Sequence, residues 1–213
     1  MTDPAGTAVL GWQRTIEAIA RQLTGGGPGH EPPLPPWNVT SPSAYDGLLW
    51  DALAVYAAYL AENGSPHAAA ALGHYQDNTG TDFTIDPSQL MQDVPSFQRD
   101  VAAYVAAHPG AFDSGWINTN TDITDANGNV TGQQSMDWYY ALHDWRYRIT
   151  GTTDNYTVQV YKPYVFGSPR SDLNIPLITK WTGMRLPQND VEHLNAAGIA
   201  RNFVVTGTVT RAR

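Results

Sequence analysis

The spacing of apolar residues changes once along this chain, near Gly110, and no other feature limits its fold as much. Before that point apolar side chains recur at steps of three and four, as in amphipathic helices. After it Ala becomes scarcer, and Thr, Tyr, Trp and Val alternate with polar residues, as half-buried strands require. The pattern predicts an α+β protein: a helical N-terminal half followed by an antiparallel β-sheet with one short C-terminal helix. A chain of 213 residues can bury one sizeable core, or two small subdomains that share one.

Glycine and proline divide the chain into four stretches. Residues 1–24 contain a short amphipathic helix over 11–23, with Trp12, Ile16, Ile19, Ala20 and Leu23 on one face. Residues 25–43 include GGGPGHEPPLPP, a tether or strap in which glycines remove stiffness and prolines favour extended geometry. Residues 44–110 form the helical part. Ser43 is the expected N-cap of its first helix, Asp46 lies in the first turn, and Asn63-Gly64 stops it. Tyr45, Leu48, Leu49, Ala52, Tyr56, Tyr59 and Leu60 make its apolar stripe. An Ala-rich helix over 66–75 should pack on it as a hairpin. Asp77 to Gly80 is a turn, a short helix spans 87–93, and a longer one spans 95–107 after Pro95 interrupts. Val94, Phe97, Val101, Tyr104 and Val105 supply the face of the longer one, and His108-Pro109-Gly110 ends it.

Residues 111–213 are the strand-rich part. Asp125 to Asn129 is a hairpin turn, because Asn-Gly tolerates positive backbone angles. Trp145, Tyr147 and Ile149 alternate with Arg146 and Arg148, which predicts a strand with one wet face. Residues 151–155 turn the chain and 156–162 return as its partner strand. Residues 163–186 read as loop, 188–197 as a helix stopped by Gly198, and Ile199, Phe203, Val205 and Val209 mark the last strand.

Composition bears mainly on what is excluded. The net charge is -8, with two Lys against ten Arg, and no basic run offers the footprint that nonspecific nucleic-acid binding needs. Cysteine is absent, which removes disulfides, thiolate metal sites and Cys nucleophiles together. The most apolar stretch, residues 47–61, carries Asp51 and falls short of the ~20 residues of a membrane span. The start, MTDPAGTAVLGWQ, lacks the basic and apolar regions of a signal peptide. The expectation is a soluble protein, cytoplasmic or exported by a route without a classical signal. Seven Trp and eleven Tyr are many for this length and predict some aromatic surface.

Chemical signatures are sparse. No Walker loop, HExxH, GxSxG or glycine-rich dinucleotide fingerprint is present. Residues 122–129 are acidic, but Ile123 falls where the first EF-hand ligand belongs and a hairpin turn explains the segment. His143 and Asp144 sit near Asp137, yet adjacent strand residues point to opposite faces, so the two should stay apart. His193 follows Asp190 by three residues and should pair with it locally. His74 near Asp77 reads as a helix-end histidine. A cleft containing His143, Asp137 or Arg170 at hydrogen-bond distances would favour an enzyme of another class. No catalytic residue, cofactor or metal site is expected from these patterns.

Two blocks, SMDWYYALHDWRYRITGT over 135–152 and LPQNDVEHLNAAGIARNFVVTG over 186–207, carry a family resemblance. With the intervening YTVQVYKPYVFGSPRSD and the upstream HYQDNTGTDFTIDPSQLMQDVPSFQRDV, they resemble a C-terminal module of actinobacterial polymorphic-toxin proteins, associated with type VII-like export. The chain is also distantly similar to colicin M-type bacteriocins, which cleave the lipid-linked peptidoglycan precursor. Their Asp-Tyr-Asp motif corresponds here to Lys162-Pro163-Tyr164-Val165, in which only Tyr164 matches, so no catalytic residue carries over. The resemblance implies a toxin-like bacterial effector in interbacterial competition, acting on the cell envelope. The alternative is a noncatalytic binding or structural module. It would assemble with a protein partner, or with itself, through an aromatic-rich surface or the N-terminal helix.

Overall fold

The computed structural model describes residues 34–166 and 188–212. The helix expected over 11–23, most of the loop expected over 163–186, and Arg170 lie outside the described residues. Residues from Leu34 onward form one unit.

Its elements follow in order: α1 (Ala44–Glu62), α2 (Pro66–Gln76), β1 (Phe83–Thr84), α3 (Pro87–Asp93), α4 (Pro95–Ala107), β2 (Ala111–Asp113), β3 (Ile117–Asn120), β4 (Asp122–Thr124), β5 (Val130–Gln133), α5 (Met136–Ala141), β6 (Asp144–Thr152), β7 (Asn155–Tyr164), α6 (Gln188–Ala196) and β8 (Phe203–Ala212). The fold is α+β with a mostly antiparallel sheet, as the change of periodicity predicts.

α1 begins with a capping box. Ser43 Oγ accepts the Asp46 N–H at 3.3 Å, and the Asp46 carboxylate accepts the Ser43 N–H at 2.7 Å. The helix ends at Asn63, followed by Gly64 at φ +78°. Its buried face is Leu49, Leu53, Tyr56 and Leu60. The predicted stripe is therefore rotated: Tyr45 and Leu48 are 52% and 69% exposed, and Leu53 points inward instead. α1 is apolar on adjoining faces, so periodicity cannot choose between them; packing against α2 and α6 does.

α2 packs on α1 through Ala68, Ala71, Leu72 and Tyr75, where small side chains bring the two helices close. Asp86 caps α3 by accepting the Ser88 N–H at 2.7 Å. Pro95 opens α4, which buries Phe97, Val101 and Val105. Part of the expected strap is described: Asn38 and Val39 donate backbone hydrogen bonds to Asn195 and Ala196 at the end of α6. Trp37 donates to Asn78 Oδ1 at 2.9 Å and lies under the Arg201 guanidinium.

The main sheet runs β1-β8-β7-β6-β2, and β3 also pairs with β6. β6 buries Trp145, Tyr147 and Ile149 while Arg146 and Arg148 face outward. β2 pairs with the end of β6 and β3 with its start. β4 and β5 form a separate hairpin around the predicted turn, with Asp125 accepting the Asn127 and Asn129 N–H groups at 2.9 Å. The structure departs from the sequence pattern at three places. β7 continues through Pro163 and Tyr164, residues expected in a loop; Pro163 is tolerated where β7 has run past its pairing with β6. β8 begins at Phe203 rather than Ile199. β1, only two residues long, carries no periodicity of its own and pairs in parallel with Val205 and Thr206 of β8.

That parallel edge joins the helical and strand-rich stretches. One core contains Leu53, Tyr75, Leu90 and Phe97 from the first with Trp138, Trp145, Phe203 and Val205 from the second. At the junction Gly207 passes so close to Ile85 that a Cβ there would lie 2.6 Å from the Ile85 carbonyl oxygen. Among the described residues no helix is long and apolar enough to cross a membrane.

Candidate binding cleft

α5 lies within the strand-rich stretch, between the Asp125–Asn129 turn and β6. Ser135 Oγ accepts the Trp138 N–H at 3.3 Å and starts the helix, and Trp138 is buried with its indole donating to Asp93 at 2.8 Å. Anchoring Trp138 turns Met136 and Tyr140 outward, four residues apart on one side of a short helix. They come to face the C-terminal end of α1.

A cleft of about 240 Å³ lies between them, lined by Tyr56, Tyr59, Leu60, Asn63, Ser65, Met136 and Tyr140. A smaller recess of about 40 Å³ shares Tyr56, Leu60 and Tyr140 and runs on to Ala68, Leu72, Tyr164 and Phe166. The rings of Tyr56 and Tyr59 are stacked at 6.4 Å and 13°. Burial pushes the Tyr56 phenol up to about 12, with Tyr140 and Tyr59 adding to the effect. Burial also raises the Tyr140 phenol, with Tyr139 and Tyr59 contributing. The Tyr56 and Tyr140 phenols are thus neutral donors at ordinary pH.

Among the described residues, the hydroxyls of Tyr56, Tyr59 and Tyr140 make no hydrogen bond. Ser65 stands at the N-cap of α2 but its side chain caps nothing. Asn63 donates its amide to the Tyr59 carbonyl at 2.8 Å, which leaves its carbonyl oxygen for another partner. Among the described residues no charged side chain lines the cleft.

Asp137 replaces Ser65 as the cap of α2. Its carboxylate accepts the His67 and Ala68 N–H groups at 3.2 and 2.8 Å and meets His67 Nδ1 at 2.6 Å. The His67 ring stacks on Trp138 at 4.1 Å. Asp137 is thereby engaged by α2, and His143 turns to a different carboxylate.

The histidine expectations fare unevenly. His143 and Asp144 do touch, with Nδ1 at 3.2 Å from Oδ1. The alternation argument does not reach them, because His143 precedes the strand in a left-handed conformation at φ +61°. Asp144 also accepts from Lys162 Nζ at 2.7 Å. The local pair of His193 and Asp190 is overturned as well. α6 docks on the start of α1, so His193 Nδ1 meets Asp46 at 2.8 Å and Asp190 accepts the Tyr45 hydroxyl at 2.7 Å. Helical spacing made the i,i+3 partner possible, and the tertiary partners won. His74 does pair with Asp77 at 3.0 Å. Among the described residues no three His, Asp or Glu side chains gather as a metal site.

Sequence reasoning missed the cleft for two reasons. Tyr56 and Tyr59 read as one apolar stripe, and Tyr140 fell in a stretch given no element of its own. The available signal was Ser135 with Asp137 two residues on, a helix-start signature inside aromatic sequence. The chain matches no protein-family model, no curated protein and no solved structure.

Proposed function

We propose that this protein is a binding module whose ligand sits in the tyrosine-lined cleft. The observation that carries the reading is a cleft whose lining mixes unpaired polar groups with apolar side chains. Tyr56, Tyr59, Tyr140, Ser65 and Asn63 line the cleft together with Leu60 and Met136. Ligand sites combine an apolar lining with a few convergent polar groups in this way. Tyr supplies contact area with little rotamer entropy to lose, which favours it at such surfaces.

The module reading extends to a protein partner. Tyr45, Leu48 and Val55 form an exposed apolar row along α1. The helix exposes Asp51 and Glu62 and carries no Lys or Arg, so a partner with a basic rim would suit it. Incorporating 3-fluorotyrosine and recording ¹⁹F spectra during ligand screening tests the cleft. Saturable shifts confined to Tyr56, Tyr59 and Tyr140 support it, and shifts elsewhere alone count against it.

A second reading, the envelope-directed effector implied by the family resemblance, draws on His67. Its Nδ1 is held by Asp137, and the ring is partly exposed beside the residues that line the cleft. A carboxylate-oriented imidazole is suited to general acid–base work. Expressing the chain in a bacterial host, in the cytoplasm and exported to the periplasm, separates the readings. Growth arrest on export that His67→Ala abolishes favours the effector. Healthy growth in both compartments with soluble protein favours the module.

A further inference from the structure

We infer that the ligand of the tyrosine cleft is a neutral sugar ring, presented as one unit of a glycan. The inference rests on the binding reading above and adds the chemical class of the ligand.

Charge decides first. Among the described residues, the lining offers no cation to hold a phosphate or carboxylate and no anion to hold an ammonium group. Against the described lining a charged ligand would leave water with no counter-charge to compensate it, which is unfavourable. The polar atoms decide next. Each phenol and the Ser65 hydroxyl can donate and accept, and Asn63 has a carbonyl oxygen to spare. A flat hydrocarbon filling the cleft would cover these atoms and leave them unpaired. A polyhydroxylated ring matches them, because its own hydroxyls also both donate and accept.

Shape agrees with this. Tyr140 is exposed and Tyr59 half-exposed, so each presents ring surface against which the C–H face of a sugar can lie. Met136 adapts to the outline of whatever packs there. A volume of about 240 Å³ admits one ring, and the cleft opens to solvent, so flanking units of a glycan can extend away.

The test uses the full chain labelled with 3-fluorotyrosine, resonances being assigned by single Tyr→Phe variants. Three probe sets are titrated: neutral hexose and N-acetylhexosamine oligosaccharides, their phosphorylated or uronic-acid counterparts, and p-cresol as an uncharged planar ligand without a polyol. The expected result is saturable movement of the Tyr59 and Tyr140 signals with a neutral oligosaccharide. Tyr140→Phe, which keeps the ring and removes one hydroxyl, should then weaken binding by about tenfold. Movement of the cleft signals with p-cresol alone, or with anionic sugars alone, overturns the sugar assignment while leaving the cleft a binding site. Silence of the cleft signals toward all three sets overturns both the assignment and the binding reading beneath it.

Discussion

Asp46 shows how one side chain can hold two distant parts of the chain. It is 1% exposed, and its carboxylate accepts from the Ser43 N–H, the Ser43 hydroxyl and His193. Burial alone would raise this carboxyl, but the Ser43 side-chain and backbone hydrogen bonds, and then His193, hold it below the usual carboxylate range. The consequence for stability has a definite sign. A depressed folded pKa contributes stability above the unfolded value of about 3.9, and that contribution is lost as pH falls through the folded value. Asp46→Asn should flatten the acid limb of the stability profile below about pH 4. At neutral pH the same variant should cost about 1–3 kcal/mol, because it weakens the capping box and the contact to His193 together. Urea unfolding across a pH series measures both effects, and an unchanged acid limb would refute the role given to Asp46.

At the scale of elements, α1 has adjoining apolar faces and the fold buries one. Leu53 is fully buried and Leu48 is largely exposed, although both are leucines on the same helix. Leu53→Ala should cost about 2–5 kcal/mol through lost transfer energy and a cavity. Leu48→Lys should stay within about 0.5 kcal/mol, since its side chain already meets water. Equal losses in thermal unfolding would mean that the buried face is misassigned. The same logic explains α5. Its six residues sit within aromatic sequence of high strand propensity, yet Ser135 caps the start and Asp137 satisfies the N–H groups of α2. Local propensity gives way when a short helix places a buried Trp and caps a neighbour.

For the molecule as a whole, the contact between β1 and β8 joins the N-terminal helices to the sheet. Ile85 donates to the Thr206 carbonyl at 2.8 Å, and Gly207 lies against the Ile85 carbonyl with no room for a side chain. Gly207→Ala must push the 85–87 segment away from β8. The expected cost is about 1–3 kcal/mol, with a corresponding fall in Tm. The more telling readout is hydrogen exchange, where amides of β1 and α3 should lose protection together with those of β8. Loss confined to β8 would show that the junction does not couple the two stretches.

Much of the helical and strand grammar was legible in the residues. The Ser43 cap, the Asn63-Gly64 stop, Pro87 and Pro95 at helix starts, the Asp125–Asn129 turn and the inward row of Trp145, Tyr147 and Ile149 are local features, decided within a few residues of chain. The sequence by itself therefore determined the α+β class and most element positions. The candidate site was not legible, because its residues gain meaning from partners far away. Tyr56 meets Tyr140 across 84 positions, from number 56 to number 140, and His193 meets Asp46 across 147. Which face of α1 is buried, which carboxylate each histidine finds, and which tyrosines line one cleft were decided by tertiary packing alone. Helical and strand periods state which side chains share a face, while only the assembled core states what that face will meet.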